Sequence, residues 1–265
     1  MIGKRLLAKT EAAHAELRDT FMAKGDMINI QLAFSSDGVS LPGYKDAADF
    51  VTYYPFAPYQ FFLLSKIFEA IRRHGVTGVA LSKGERSLLD AFQTAVKSIL
   101  DKESDCLVPL YAFYPSIESF LDSTVRYAID YADKQVGALF EPFDVQLLRV
   151  LFLIKNIPEI VRGKVDNLAT LCVNDMDADK LVLKRQIQDS LLRLEKQNLV
   201  SRNGDDWMFL TNEEQDIARD IAHEVISSAD LSRELATLVF EEIWKSQTKV
   251  RHKNSKADYE FSRLL

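Results

Sequence analysis

The chain has 265 residues, 47% of them hydrophobic, with 33 basic against 39 acidic side chains and a formal net charge of -6. That length supports a sizeable core in one to two domains, and a pI near 5.4 excludes a molecule drawn onto nucleic acid by a uniform positive field. No apolar run reaches the ~18–20 residues of a membrane span, and Met1-Ile2-Gly3-Lys4-Arg5 lacks the apolar stretch of a secretion signal, so a cytoplasmic location is expected.

In chain order, residues 4–24 read as an amphipathic helix (Leu6, Ala13, Leu17, Phe21) broken at Gly25. Met27 to Phe34 alternates weakly and reads as a strand, and Ser35-Ser36-Asp37-Gly38 and Leu41-Pro42-Gly43 are turn chemistry. The aromatic block from Tyr53 to Phe62 implies core packing. It leads into a helix whose first turn suits Pro58 and which continues through Leu63, Leu64, Ile67, Phe68 and Ile71 to about Arg73. Ser82-Lys83-Gly84-Glu85 fits a capping box that opens a helix carrying Leu88, Leu89, Phe92, Val96 and Ile99 inward. Pro115 to about Ala132 predicts one further helix, with Ile117, Phe120, Leu121, Val125 and Ile129 at helical spacing.

The most informative stretch runs from Asp144 to Thr211. The continuous apolar run from Val145 to Ile154 predicts a helix buried on most sides. A short helix follows from an Asp166 cap (Leu168, Leu171, Cys172), and a third from about Asp177 places Leu183, Ile187, Leu191 and Leu194 on one face. Then two β-prone runs, Leu199 to Arg202 and Asp205 to Leu210, flank Asn203-Gly204, a pair that readily supplies the two positive φ values of a tight hairpin. Helix-helix-helix-hairpin is the order of a winged helix. Beyond it, Thr211-Asn212-Glu213-Glu214 is a second capping box opening a helix to about Val225, Leu231 to Trp244 follows as another helix, and 245–263 is a locally basic tail.

Catalytic and metal chemistry find no foothold. Cys106 and Cys172 stand apart with no paired cysteines or histidines to ligate zinc, and read as buried reduced thiols. His14, His74, His223 and His252 are scattered. Gly75 to Gly84 bears glycines but places Lys83 before Gly84 after a helix, which is not a phosphate-binding loop. A secondary anion site at the helix start, beside Lys83 and Arg86, is one reading of it; a solvated, well-capped helix start is the other. On the third helix of the winged unit, Lys180, Lys184 and Gln188 read as a stripe opposite the apolar face with Arg185 beside it, a surface that suits a DNA groove. Residues 144–212 nevertheless balance ten basic against ten acidic side chains, which is unlike a dedicated DNA reader and favours protein contact or a plain solvated face. If Lys180, Lys184, Arg185 and the hairpin's Arg202 each met a phosphate, log affinity would fall with log salt at a slope of about -3.6.

Several blocks together resemble a known family. They are Tyr54-Pro55-Phe56-Ala57-Pro58-Tyr59-Gln60-Phe61, the run from Leu81 to Gln93, Tyr114-Pro115-Ser116-Ile117-Glu118-Ser119-Phe120, and Glu141-Pro142-Phe143-Asp144-Val145-Gln146-Leu147-Leu148. With Asp166-Asn167-Leu168, Ser201-Arg202-Asn203-Gly204 and the tail from Lys256 to Leu264, they are similar to the BREX phage-defence P-loop ATPase family (BrxC, related to PglY). That family is a very large AAA+-like ATPase that uses ATP and magnesium and acts with other BREX proteins. This chain departs from it in lacking the Walker A loop, the Walker B strand and most of the length, so the resemblance implies a segment downstream of the nucleotide core that is not an enzyme alone. It implies a mostly α fold: an N-terminal helix and linker (1–49), a helical AAA+-lid-like domain (50–135), a winged helix (144–212), and C-terminal helices with a basic tail (213–265). It also implies that Arg86, with Lys83 and Ser82, contacts nucleotide in the intact parent, and that the upstream ATPase core, other BREX proteins and weak non-specific DNA are partners. The competing expectations are a free-standing winged-helix transcriptional regulator that binds operator DNA and a pure assembly module joining BREX subunits, which fits the acidic pI.

Overall fold

The computed structural model describes residues 7–35, 39–73, 84–99, 105–223, 227–244 and 249–260, with the side chains at 84–86 and 222–223 outside that description. The protein is mostly helical, and it divides into two compact units, Met1–Asp216 and Ile217–Leu265. Among the described residues no helix is long and apolar enough to cross a membrane.

The first unit opens with α1 (Glu11–Gln31), capped by the Thr10 side chain. This one helix runs through the expected break at Gly25 and takes Met27 to Gln31 of the expected strand, and Ala33 and Phe34 beyond its end are not in a strand. Gly25 is there for space: a Cβ would sit 2.9 Å from the Phe21 ring, and that ring packs against Phe50 with centroids 5.2 Å apart. Next comes α2 (Ala47–Tyr53), a helix not anticipated, capped by Asp46, whose Oδ1 accepts from the Asp49 N–H at 2.8 Å. The expected helix from Pro58 is α3 (Pro58–Arg73). α4 (Gly84–Lys97) buries Ala91, Phe92 and Ala95 but leaves Leu89, expected inward, exposed. The aromatic block forms core as expected, with Phe61 stacked on Phe92 at 4.4 Å and Phe56 edge-on to Phe92 at 4.9 Å.

The single helix expected from Pro115 to Ala132 is two. After a 3₁₀ turn at Leu110–Phe113, α5 (Tyr114–Glu118) ends in tightened backbone bonds to Ile117 and Glu118, and α6 (Ser123–Lys134) restarts at Asp122. The break costs little because Ile117, Leu121 and Ile129 all still reach the core. α7 (Pro142–Ile154) is the buried helix, starting at a reciprocal cap between Glu141 and Asp144. α8 (Val165–Cys172) begins after Lys164, so Asp166 lies within its first turn and is not its cap. α9 (Lys180–Lys196) is capped by Asp179, whose Oδ1 accepts from the Leu181 and Val182 N–H groups.

The hairpin pairs β1 (Val200–Asn203) antiparallel to β2 (Asp206–Phe209), with Asn203 opposite Asp206. The turn is therefore centred on Gly204-Asp205 and not on Asn203-Gly204. Gly204 takes the positive φ of 61° and Asn203 does not, a glycine-first arrangement that matches strand twist. The outer edge of β2 is held as well: the Trp207 N–H donates to the Gly163 carbonyl at 3.0 Å. Phe209 meets Phe152 at 5.3 Å, and Phe152 meets Tyr114 at 5.9 Å, so the hairpin, α7 and the preceding helices share one core. The limits expected at 49, 135 and 144 do not separate compact bodies.

α10 (Asn212–His223) spans the division at Asp216 and opens with the anticipated capping box, Glu214 Oε2 accepting from the Thr211 N–H at 2.7 Å. In the second unit, α11 (Ser228–Thr237) runs into a π-helical turn at Leu238–Ile243. The expected basic tail contains a second hairpin, β3 (Lys249–Arg251) with β4 (Asp258–Glu260), in which Lys249 pairs with Glu260 at 2.8 Å.

Candidate functional site

The face expected to meet DNA is built by α8, α9 and β1–β2. What fixes α9 in place is a buried carboxylate. Asp144 is 0% exposed and accepts from Arg193 Nε and Nη2 at 2.8 Å each, from Ser190 Oγ at 2.5 Å and from the Glu141 N–H at 2.8 Å. Burial pushes this carboxyl up, but the fork of Arg193, the hydroxyl and the N–H outweigh it and hold it below the usual aspartate range. The residue escapes sequence reading because its partners stand 46 and 49 positions away.

The other end of α9 is tied to α1. Lys180 Nζ donates to the carbonyls of Gln31 at 2.9 Å and Ala33 at 3.2 Å, and to Thr170 Oγ1 at 3.0 Å, with the Ile30 carbonyl at 3.4 Å. A cation at these carbonyls is well placed, since the C-terminal end of α1 is the negative end of its dipole. Burial, then Lys184, push the Lys180 amine down to about 8. Nearby, Gln31 Nε2 donates to the Met176 and Ala178 carbonyls, and Thr170 Oγ1 donates to the Ala33 carbonyl. The segment before α9 is thereby locked onto α1.

This corrects the reading of the α9 surface. At ~100° per residue, Lys180 falls on the same side of the helix as the buried Ile187 and Leu191, with Lys184 about 40° from it, and neither lies opposite them. Lys180 is engaged by main-chain oxygens and is removed from the set of DNA contacts. Lys184 makes an ion pair with Asp166. On the hairpin, Arg202 donates from Nε to the Gly204 carbonyl at 2.6 Å, pairs with Asp205 at 3.5 Å and lies over the Trp207 ring at 5.6 Å. Arg185 and Gln188 are exposed, and among the described residues neither makes a side-chain hydrogen bond or ion pair.

Lys184, Arg185, Gln188 and Arg202 nonetheless share one cleft of about 590 Å³ between α9 and the hairpin. Its walls also include Lys164, Asp166, Leu181, Asp205 and Trp207, so four cations face two carboxylates. At the cleft wall α9 exposes Leu181 at 66%, and outside the cleft it exposes Val182 at 57% and Leu192 at 59%. A groove reader of DNA places polar side chains there. No family model matches the chain, and no solved structure matches it.

The candidate nucleotide contacts stand apart from this cleft in sequence. Ser82 and Lys83 lie outside the described residues; Arg86 is in the first turn of α4, and its side chain lies outside the description. Among the described residues, no three His, Cys, Asp or Glu side chains converge as a metal site. Cys172 is buried, which pushes its thiol far up, and Cys106 is half-buried.

Proposed function

We propose that this chain is the lid-like and winged-helix portion of a BREX-type antiphage-defence ATPase, not catalytic alone, and that it acts in assembly through the outward face of α9. The family assignment is supported by the motif blocks quoted above and by the order helix, helix, helix, hairpin from α7 to β2. One observation favours protein contact over DNA: the cations of the α9 and hairpin surface are largely engaged within the chain, while the helix presents Leu181, Val182 and Leu192 to solvent. Leu181 with its neighbour Val182, and Leu192 about 16 Å further along the helix, give this side of α9 two apolar contact points. In the parent protein, Arg86 with Ser82 and Lys83 would approach the nucleotide held by the ATPase core.

The test is co-elution of the purified chain with the BREX ATPase core in gel filtration. The native chain is expected to co-elute and a Leu192→Asp chain to elute alone, with no ATP hydrolysis by either chain without the core. Co-elution that ignores Leu192→Asp, no co-elution at all, or hydrolysis by the chain alone overturns the proposal.

A further inference from the structure

The pattern along α9 defines the chemistry of what docks there, and, resting on the assembly reading, we infer that the partner element is an amphipathic helix carrying a carboxylate between two apolar side chains. At ~100° and ~1.5 Å per residue, Leu181, Arg185, Gln188 and Leu192 fall within about 60° of one another on a line about 16 Å long. The line reads apolar, cationic, polar, apolar. Leu181 and Leu192 are exposed aliphatic ends, and Arg185 between them has no partner among the described residues.

A helix laid along this line matches it when an acid stands four residues from one aliphatic anchor and seven from the other, whichever way the helix runs. Charge complementarity favours an acid at that point. The cleft beside Arg185 carries four cations against two carboxylates, although the whole chain is acidic at -6. Gln188, one turn from Arg185, both donates and accepts, and so tolerates a polar neighbour of either kind. Duplex DNA fits the same surface poorly. Its phosphates bring one charge per ~1.7 Å of axis, which cannot avoid Asp166 and Asp205 in the cleft wall or the exposed Asp189 on the other flank of the line. A single carboxylate avoids all three.

The experiment is selection from a displayed library of helices, randomised on one face, against the immobilised full chain. Enriched helices are expected to carry Asp or Glu at the four-and-seven spacing between aliphatic residues, and selection against an Arg185→Glu chain is expected to place Lys or Arg there. By fluorescence anisotropy, the winning helix should bind the native chain at least about tenfold more tightly than the Arg185→Glu chain, and Leu192→Asp should also abolish binding. Arg185 and Leu192 are exposed, so both variants should keep the native circular dichroism melt. No enrichment, enrichment without the acid, affinity indifferent to Arg185→Glu, or displacement by random duplex DNA at low salt overturns the inference. Failed selection with co-elution intact removes the helix and leaves the assembly role standing.

Discussion

Replacing Arg193 by alanine tests the clamp that positions the α9 surface. The change removes two charge-assisted hydrogen bonds of 2.8 Å from a carboxylate that is 0% exposed, and leaves it only the Ser190 hydroxyl and the Glu141 N–H. Stripping one partner from a fully buried pair costs about 3–5 kcal/mol. The Arg193 side chain is 31% exposed, and water can enter where it stood, so about 3 kcal/mol is the expectation. For a unit of this size that lowers the melting temperature by about 6–12 °C. Urea unfolding followed by tryptophan fluorescence and circular dichroism measures it. The pH dependence carries a sign. The Asp144 carboxyl is held below its ordinary 3.8 in the fold, so the clamp's contribution is fully present above that value and is lost as pH falls through the lower folded value. The gap between native and Arg193→Ala proteins should therefore be constant near neutrality and close in strong acid. A loss below about 0.5 kcal/mol at pH 7, the level of an exposed pair, refutes the argument that this carboxylate is buried and charged.

Two further outcomes follow from the same region. A Cβ on Gly163 would lie 2.0 Å from the Trp207 carbonyl oxygen, a backbone atom, whereas Gly204 has open space and a φ of 61°. Gly163→Ala should cost about 2–3 kcal/mol by displacing β2 and Gly204→Ala about 1 kcal/mol by backbone strain alone; equal costs in thermal melts contradict the close approach. Lysine side-chain NMR should titrate Lys180 near pH 8, below the ordinary 10.5, with stability rising between those values because the unfolded lysine holds its proton longer; titration above about 10 would show that the carbonyl bonds outweigh burial and would contradict the lowered value.

The parts of the fold legible in the sequence are those set by local chemistry. The apolar run of α7, the period of α9, the Thr211 capping box and the β-prone runs about Gly204 each announce themselves within a dozen residues. Gly25 misled because a glycine that breaks a helix and one that makes room for Phe21 look alike until the partner of Phe21, Phe50, is known. The interruption between α5 and α6 was hidden because apolar spacing carries through it. The site was less legible for a related reason. Lys180 and Lys184 read as surface cations on a helix, and only tertiary contact shows that Lys180 meets the carbonyl end of α1 and Lys184 meets Asp166. Asp144 had a usable signal in the Glu141-Pro142-Phe143-Asp144 cap, but its pairing to Arg193 is nonlocal.

The claim that the outward α9 face serves protein contact is tested most directly by titrating labelled duplex DNA at several salt concentrations. With Lys180 engaged by carbonyls and Lys184 and Arg202 paired to Asp166 and Asp205, Arg185 is left as the unengaged cation of the four expected contacts. The account predicts binding no tighter than the non-specific range of about 10⁻⁴ to 10⁻⁶ M, with a log-log slope near -0.9. A slope near -3.6, or tight binding to one sequence that survives high salt, contradicts it and makes the cleft a nucleic-acid site.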